Sequence, residues 1–247
     1  VYSLFVFYIT WKGVPRIASF ASKLVPFMCL LYFVGGIVLI AVNFRALPGV
    51  IQAVFHDAFT GSAAAGGFVG AGVMTVIRTG IARSINSNEA GQGSSPMIHA
   101  AADTPHPVEQ GLWGAIEVFV STVLVSTITA LAILSTGTWS SGLTSVTLTI
   151  TAFQSVFGQA GLYFIGIIAF LFGITTTTGW FTYYCSLIAH GFRHNEKLRD
   201  RLILIFKIIF PWPNIIVVAL IVLSGKGPNL YWAMIDVVTV LPTFFNV

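Results

Sequence analysis

Four consecutive threonines, Thr175 to Thr178, sit inside an apolar run that reads Gly161-Leu-Tyr-Phe-Ile-Gly-Ile-Ile-Ala-Phe-Leu-Phe-Gly-Ile-Thr-Thr-Thr-Thr-Gly-Trp180. A lone threonine in a helix bonds back to its own helix carbonyl at little cost. Four in a row cover every face, so at least one must point at neighbouring helices. Hydroxyls and the carbonyls beside them form a hard oxygen site, the kind that suits a small alkali cation. Thr176 and Trp180 are four apart and share a face, which sets a hydroxyl beside an indole. The competing reading is hydrogen bonding between helices, with Trp180 as packing. The residues alone leave both readings open.

A second irregular stretch reads Thr60-Gly-Ser-Ala-Ala-Ala-Gly66-Gly67-Phe68-Val-Gly-Ala-Gly72, after Pro48 and an apolar segment from Val50 to Phe59. Proline suits the first turn of a helix, and glycine permits backbone that is not helical. In lipid such backbone survives only beside protein or a water-filled cavity. The stretch is therefore either a close helix contact through small residues or a broken helix whose free backbone groups face a solute. Glu117, Asp236 and the pair His56-Asp57 also fall inside apolar runs. Ionisable groups at membrane depth are costly and mark function or helix pairing; Asp57 lies nearer an interface, where plain solvation accounts for it.

The elements that must hold these residues follow from composition. Hydrophobic residues make up 56% of the 247 and charged residues 8%, against about a quarter charged in a soluble domain. So few charges cannot cover a surface in water, and the solvent must be largely lipid. The net charge of +4 does not indicate nucleic acid, because the cations sit in short loops between apolar runs and form no stripe. Cys29 and Cys185 both fall inside apolar runs and read as small core residues, not as a disulfide or a metal site.

Seven apolar segments can be marked: 1–10, 24–43, 47–77, 106–134, about 152–189, 202–223, and one beginning near Asn229. The complete ones reach the roughly 20 residues that span a bilayer. The third and fifth exceed it, so part of each must be interfacial, kinked or tilted. The first covers about 15 Å, half a hydrocarbon core, and both ends read as membrane helices that are cut. The loops test the count. Alternate loops hold Lys12, Arg16, Lys23, Arg78, Arg83, Arg193, Lys197, Arg199 and Arg201, while the others hold only Arg45 and Lys226. That asymmetry makes the loops at 11–23, 78–105 and 190–201 cytoplasmic. Lys207, one to two turns inside the sixth segment, is expected to snorkel back to the same side.

The loop at 78–105 is too specific for a linker. Arg83, Asn88, Glu89 and His99 read as a gate or structural set, with Glu89 between Arg78, Arg83 and His99 as an ion-pairing anchor. No Gly-Lys-Ser/Thr follows its glycines, so it is not a phosphate cradle. The run Ala82-Arg83, Ser87-Asn-Glu-Ala-Gly91, Gly93-Ser94, Pro96, His99-Ala-Ala-Ala102, His106-Pro-Val and Gln110-Gly111 closely resembles the alanine or glycine:cation symporter family. Val25-Pro26-Phe27-Met28 with Tyr32, Gly66-Gly67-Phe68, Ala152-Phe153, and Trp232 with Asp236 extend the resemblance over nearly the whole chain. Ser84-Ile85 departs from the Gly-Leu-Phe usual there.

The resemblance implies an all-α polytopic membrane protein, the second half of an inverted-repeat fold of five plus five helices like that of leucine transporters. Residues 1–23 would then be the end of one transmembrane helix plus a cytoplasmic loop. Residues 24–45 would be the fifth helix, and 46–247 the second repeat, with the first repeat missing. It implies a symporter in the cell membrane that couples sodium or proton influx to uptake of alanine, glycine or another small amino acid, with no cofactor and sodium as a coupled substrate. Gly66, Gly67 and Phe68 would line the substrate at the broken helix. Thr176 would bond the substrate, Trp180 would limit pocket size, and Thr175 with Thr176 would offer oxygens to sodium. A channel would need a symmetric ring of carbonyls or subunits, which the uneven helices disfavour. An intramembrane enzyme would need a nucleophile and base or metal ligands at one depth. His190 and His194 are four apart but lie at the rim among Arg and Lys.

Overall fold

The computed structural model describes residues 1–60, 69–89, 91–100, 102–224, 234–235 and 237–238, with side chains throughout these except at 57–60 and 69–76. The described residues are helical, with no strand among them. In chain order the helices are α1 (Tyr2–Trp11), α2 (Val14–Val42), α3 (Leu47–Thr60), α4 (Val69–Asn88), α5 (Ser94–His99), α6 (Pro107–Val118), α7 (Ser126–Ser135), α8 (Ser145–Phe157), α9 (Gln159–Gly191), α10 (Glu196–Ile209) and α11 (Pro213–Ser224). Among the described residues, four helical stretches are long and apolar enough to cross a membrane: Val14–Val42, Pro107–Ser135, Gln159–Gly191 and Glu196–Leu223.

The loops are more helical than expected. The connector at 11–23 contracts to a turn at Lys12 and Gly13, because Gly13 takes a φ of +80° and α2 starts at Val14. The Gly13 amide donates to the Thr10 carbonyl, and Gly13's own carbonyl accepts from the Arg16 and Ile17 amides. Within 78–105, α4 continues to Asn88 and α5 fills Ser94–His99. Glu89, Gly91 and Gly93 all have positive φ and make the turn between these helices; two glycines carry it at no steric cost. The connector at 190–201 shortens too, because Asn195 caps α10 by accepting from the Leu198 amide at 3.1 Å.

Two long apolar runs prove to be interrupted. Gly158, at φ +59° and ψ −141°, ends α8 and starts α9, so the fifth run is two helices and the crossing one begins at Gln159. Pro211 and Pro213 separate α10 from α11 in the sixth, since neither can donate an amide to a preceding turn. The stretch from Pro107 is continuous but changes pitch: Phe119–Val125 is π-helical between α6 and α7. The third run holds α3 up to Thr60 and α4 from Val69; Gly66, Gly67 and Phe68 lie outside the described residues, as do Trp232 and Asp236.

The chain divides into two compact units. The first comprises Val1–Met28, Gly91–Gln110 and Phe170–Val247. Its core gathers Ile9, Ile17, Ile174, Phe181 and Cys185, with Tyr2, Phe20, Phe170, Ile203, Phe206 and Phe210 packed around them. Phe181 stacks on Phe206 at 5.5 Å with 13° between the rings. The Lys207 ammonium reaches the α1–α2 turn, 3.6 Å from where a β-carbon on Gly13 would stand.

The second unit comprises Cys29–Ala90 and Gly111–Ala169. Tyr32, Leu39, Ala132, Ala152, Phe153, Ile165 and Ile168 are buried there. Small residues let backbones approach: a β-carbon on Gly36 would fall 2.2 Å from Ile128 Cγ2, and one on Gly161 would fall 2.4 Å from the Phe153 carbonyl oxygen. Lipid is as apolar as these side chains, so close packing and hydrogen bonds, more than burial, hold such helices together. Thr129 spends its one proton on the Val125 carbonyl at 2.7 Å. The Tyr32 hydroxyl must therefore be the donor in its bond to Thr129 Oγ1.

Candidate functional site

α9 is 33 residues long, and its threonines fall near its middle. Three of the hydroxyls in this region turn back onto their own helix. Thr175 Oγ1 donates to the Leu171 and Phe172 carbonyls at 3.1 and 3.0 Å. Thr178, fully buried, does the same with Ile174 and Thr175 at 2.9 and 3.1 Å. Thr182 donates to Thr178 at 3.3 Å. A hydroxyl bonded this way keeps its lone pairs, so Thr175 still offers an oxygen to a cation.

Thr177 behaves differently. Its Oγ1 lies 2.6 Å from the Tyr2 hydroxyl of α1, and Tyr2 donates to the Gly173 carbonyl at 2.7 Å. Tyr2 has one proton, so Thr177 must be the donor to the tyrosine oxygen. α1 is thus clamped to the threonine turn through one side chain. The expectation that at least one threonine faces a neighbouring helix is met by Thr177 and by buried Thr178. Sequence reasoning assigned no role to Tyr2 or to the Gly173 carbonyl, and a tyrosine at the start of an apolar run carries no signal of one.

Thr176 is exposed on this unit, and Trp180, one turn on, is half-buried. Trp180 meets Tyr183 edge-on at 5.2 Å and lies tilted against Tyr184 at 6.1 Å. Tyr184 in turn packs on Phe206 at 5.5 Å. The indole is therefore held from the α9–α10 side, one turn from the exposed Thr176. This face of α9 offers a hydrogen-bonding oxygen and a broad apolar wall, and Thr175 is one residue behind it.

The remaining predicted residues divide between the units. In the first, His99 ends α5, and its Nδ1 lies 2.7 Å from Gln110 Nε2. An amide nitrogen only donates, so Nδ1 accepts and the neutral ring carries its proton on Nε2. In the second unit, Arg83 is half-buried on α4, Asn88 is the last residue of that helix, and Glu89 follows at φ 55°. Glu117 is exposed one residue before the end of α6, and His56 is exposed on α3. The Asp57 side chain is outside the described set. Among the described residues no three His, Cys, Asp or Glu side chains gather as metal ligands. His106 opens α6 as a cap, its Nδ1 accepting from the Val108 amide at 3.2 Å.

Comparison with known proteins shows the family of the chain. The model of the sodium:alanine symporter family matches residues 1–247. The chain is 34% identical over 239 residues to the uncharacterized transporter YflA of Bacillus subtilis (strain 168), covering 95% of this chain and 48% of that protein. It is 32% identical over 240 residues to a sodium/proton-dependent alanine carrier protein of Bacillus sp. (strain PS3), covering 91% and 51%. It is 33% identical over 189 residues to the sodium/alanine symporter AgcS of Methanococcus maripaludis, covering 74% and 40%. The chain spans about half the length of the curated relatives it matches.

Proposed function

We propose that this chain, which belongs to the sodium:alanine symporter family, forms the second half of a secondary active symporter. In this reading the whole protein couples influx of sodium, or of protons, to uptake of alanine, glycine or a similarly small amino acid. Residues 46–247 make up the second of two inverted repeats, and the protein sits in the cell membrane with 11–23, 78–105 and 190–201 on the cytoplasmic side. The family is one of membrane transporters, and its members are not enzymes.

The observation that carries the reading is the α9 face where Thr176 is exposed one turn from half-buried Trp180. An exposed threonine in a long apolar helix has no water to satisfy it in lipid. A bound solute supplies a partner. Thr176 bonds the polar head of the amino acid, and Trp180, held by Tyr183 and Tyr184, limits the length of its side chain. Thr175 and Thr176 supply oxygens to the cation. Gly66, Gly67 and Phe68, which lie outside the described residues, are assigned to the substrate by the family resemblance alone. Arg83, Asn88 and Glu89 serve the cytoplasmic gate.

Coupling requires the ion to stabilise the substrate-loaded state selectively. With both in place one bundle rocks against the other and the cytoplasmic side opens. The test is uptake of labelled alanine by the whole protein in proteoliposomes, with and without an inward sodium gradient, for wild type and Thr176→Val. The variant keeps the shape and removes the hydroxyl, and its half-saturating alanine concentration should rise roughly tenfold to a hundredfold. Uptake indifferent to both sodium and protons would reject coupling; an unchanged affinity in Thr176→Val would reject this face.

A further inference from the structure

Three cations surround the α1–α2 turn. Lys12 immediately precedes Gly13, Arg16 lies on the first turn of α2, and the Lys207 ammonium arrives from α10 at the same glycine. Lys207 and Arg16 are half-buried, and α10 packs on α1 here. Among the described residues none of the three is paired with a carboxylate; on α10 the ion pair joins Arg199 to Asp200. Like charges gathered without a counter-ion are unfavourable unless an anion joins them.

The surroundings identify the anion. The Arg16 guanidinium lies 3.9 Å over the Tyr8 ring, which fixes it on the α1 side of the turn. Trp11 and Trp212 flank the region, both in contact with Phe7 at 5.2 and 6.2 Å, and they remain 49% and 41% exposed. Exposed tryptophans beside basic residues at the end of apolar helices belong to the headgroup level of a bilayer. Below them, Leu4 and Phe5 present 60% and 49% exposed apolar surface, where an acyl chain can lie. A soluble anion would use the cations alone; only a lipid uses the aromatic pair and the apolar strip as well.

We propose that the α1–α2 turn is a binding site for an anionic phospholipid. Lys12, Arg16 and Lys207 hold the headgroup phosphate, Trp11 and Trp212 lie at its glycerol level, and the α1 surface takes an acyl chain. The site is independent of the proposed transport site.

The test uses the whole purified protein in neutral detergent. Its melting temperature is followed on adding phosphatidylglycerol, phosphatidylcholine of the same chains, or inorganic phosphate, and bound lipid is counted by native mass spectrometry. Phosphatidylglycerol should raise the melting temperature and remain bound, with the other two doing neither. Lys207→Gln and Arg16→Gln should each weaken phosphatidylglycerol binding roughly fivefold, Lys207→Arg should retain it, and Arg45→Gln, which is not one of the three cations, should leave it unaffected. Equal responses to phosphatidylcholine, an equal response to free phosphate, or equal binding in Lys207→Gln and Arg16→Gln would each overturn the proposal. If Lys207→Gln fails to fold, Arg16→Gln alone decides.

Discussion

The Tyr2 hydroxyl of α1 and the Thr177 hydroxyl of α9 lie 2.6 Å apart, and the tyrosine proton is directed 2.7 Å away to the Gly173 carbonyl. One side chain thus satisfies two polar groups on the turn that leads into the proposed cation oxygens. Tyr2→Phe removes both bonds, but Thr177 can then turn back to Gly173, as its neighbours do to their own carbonyls. The net cost should therefore be small, about 1 kcal/mol. Thermal unfolding of the whole protein in detergent measures it. Thr177→Val should cost a similar amount, and the double variant should cost less than the sum. Fully additive effects would show that the two hydroxyls do not act together.

Two glycines of the second unit predict different kinds of damage. In Gly36→Ala the new methyl group meets the end of one side chain, Ile128 Cγ2 at 2.2 Å. In Gly161→Ala it meets backbone, the Phe153 carbonyl oxygen at 2.4 Å and carbon at 2.7 Å. Overpacking of this kind costs about 1–3 kcal/mol. Gly36→Ala should recover when combined with Ile128→Ala, which removes the obstruction. Gly161→Ala has no such partner and should be the more damaging. Unfolding midpoints of Gly36→Ala, Ile128→Ala, their combination and Gly161→Ala check this, and recovery is the decisive reading.

How much of this was legible in the sequence depends on the kind of signal. Apolar length and loop charge pointed to the spans at α2, α6–α7, α9 and α10–α11, because both depend on composition averaged over many residues. The break at Gly158 was not legible. A glycine in an apolar run reads equally as helix packing, and only the observed φ of +59° separates the two. The helical extent of α4 and α5 was also missed, since polar residues near a membrane suggest loop although their backbone amides are best satisfied in helices. The threonine run was legible as a polar cluster. Which hydroxyl faces where was not, because four consecutive residues take every direction around a helix and only the position of α1 selects Thr177. The π-helical stretch left no mark in composition at all.

That stretch holds a further test. Thr122 Oγ1, within Phe119–Val125, is buried and has no hydrogen-bond partner among the described residues. An unsatisfied buried hydroxyl costs about 1–3 kcal/mol, and replacing it with an isosteric methyl group recovers some of that. Thr122→Val should leave the melting temperature unchanged or raise it. A clear loss of stability would show that the hydroxyl has a partner in the whole protein.

Trp180 offers the sharpest test of the pocket. The indole packs edge-on to Tyr183 at 5.2 Å and tilted against Tyr184 at 6.1 Å, so removing it both opens space and loosens packing. The two effects must be separated by a ratio within one preparation. For Trp180→Ala, initial uptake of glutamine or leucine divided by uptake of alanine should rise roughly tenfold, the scale on which a hydrophobic pocket discriminates by size. Trp180→Phe should fall between wild type and alanine. Lower stability or expression scales both uptakes together and leaves the ratio where it was. A ratio that stays constant across wild type, Trp180→Phe and Trp180→Ala would mean that the indole only packs α9 against its neighbours, and that another residue sets substrate size.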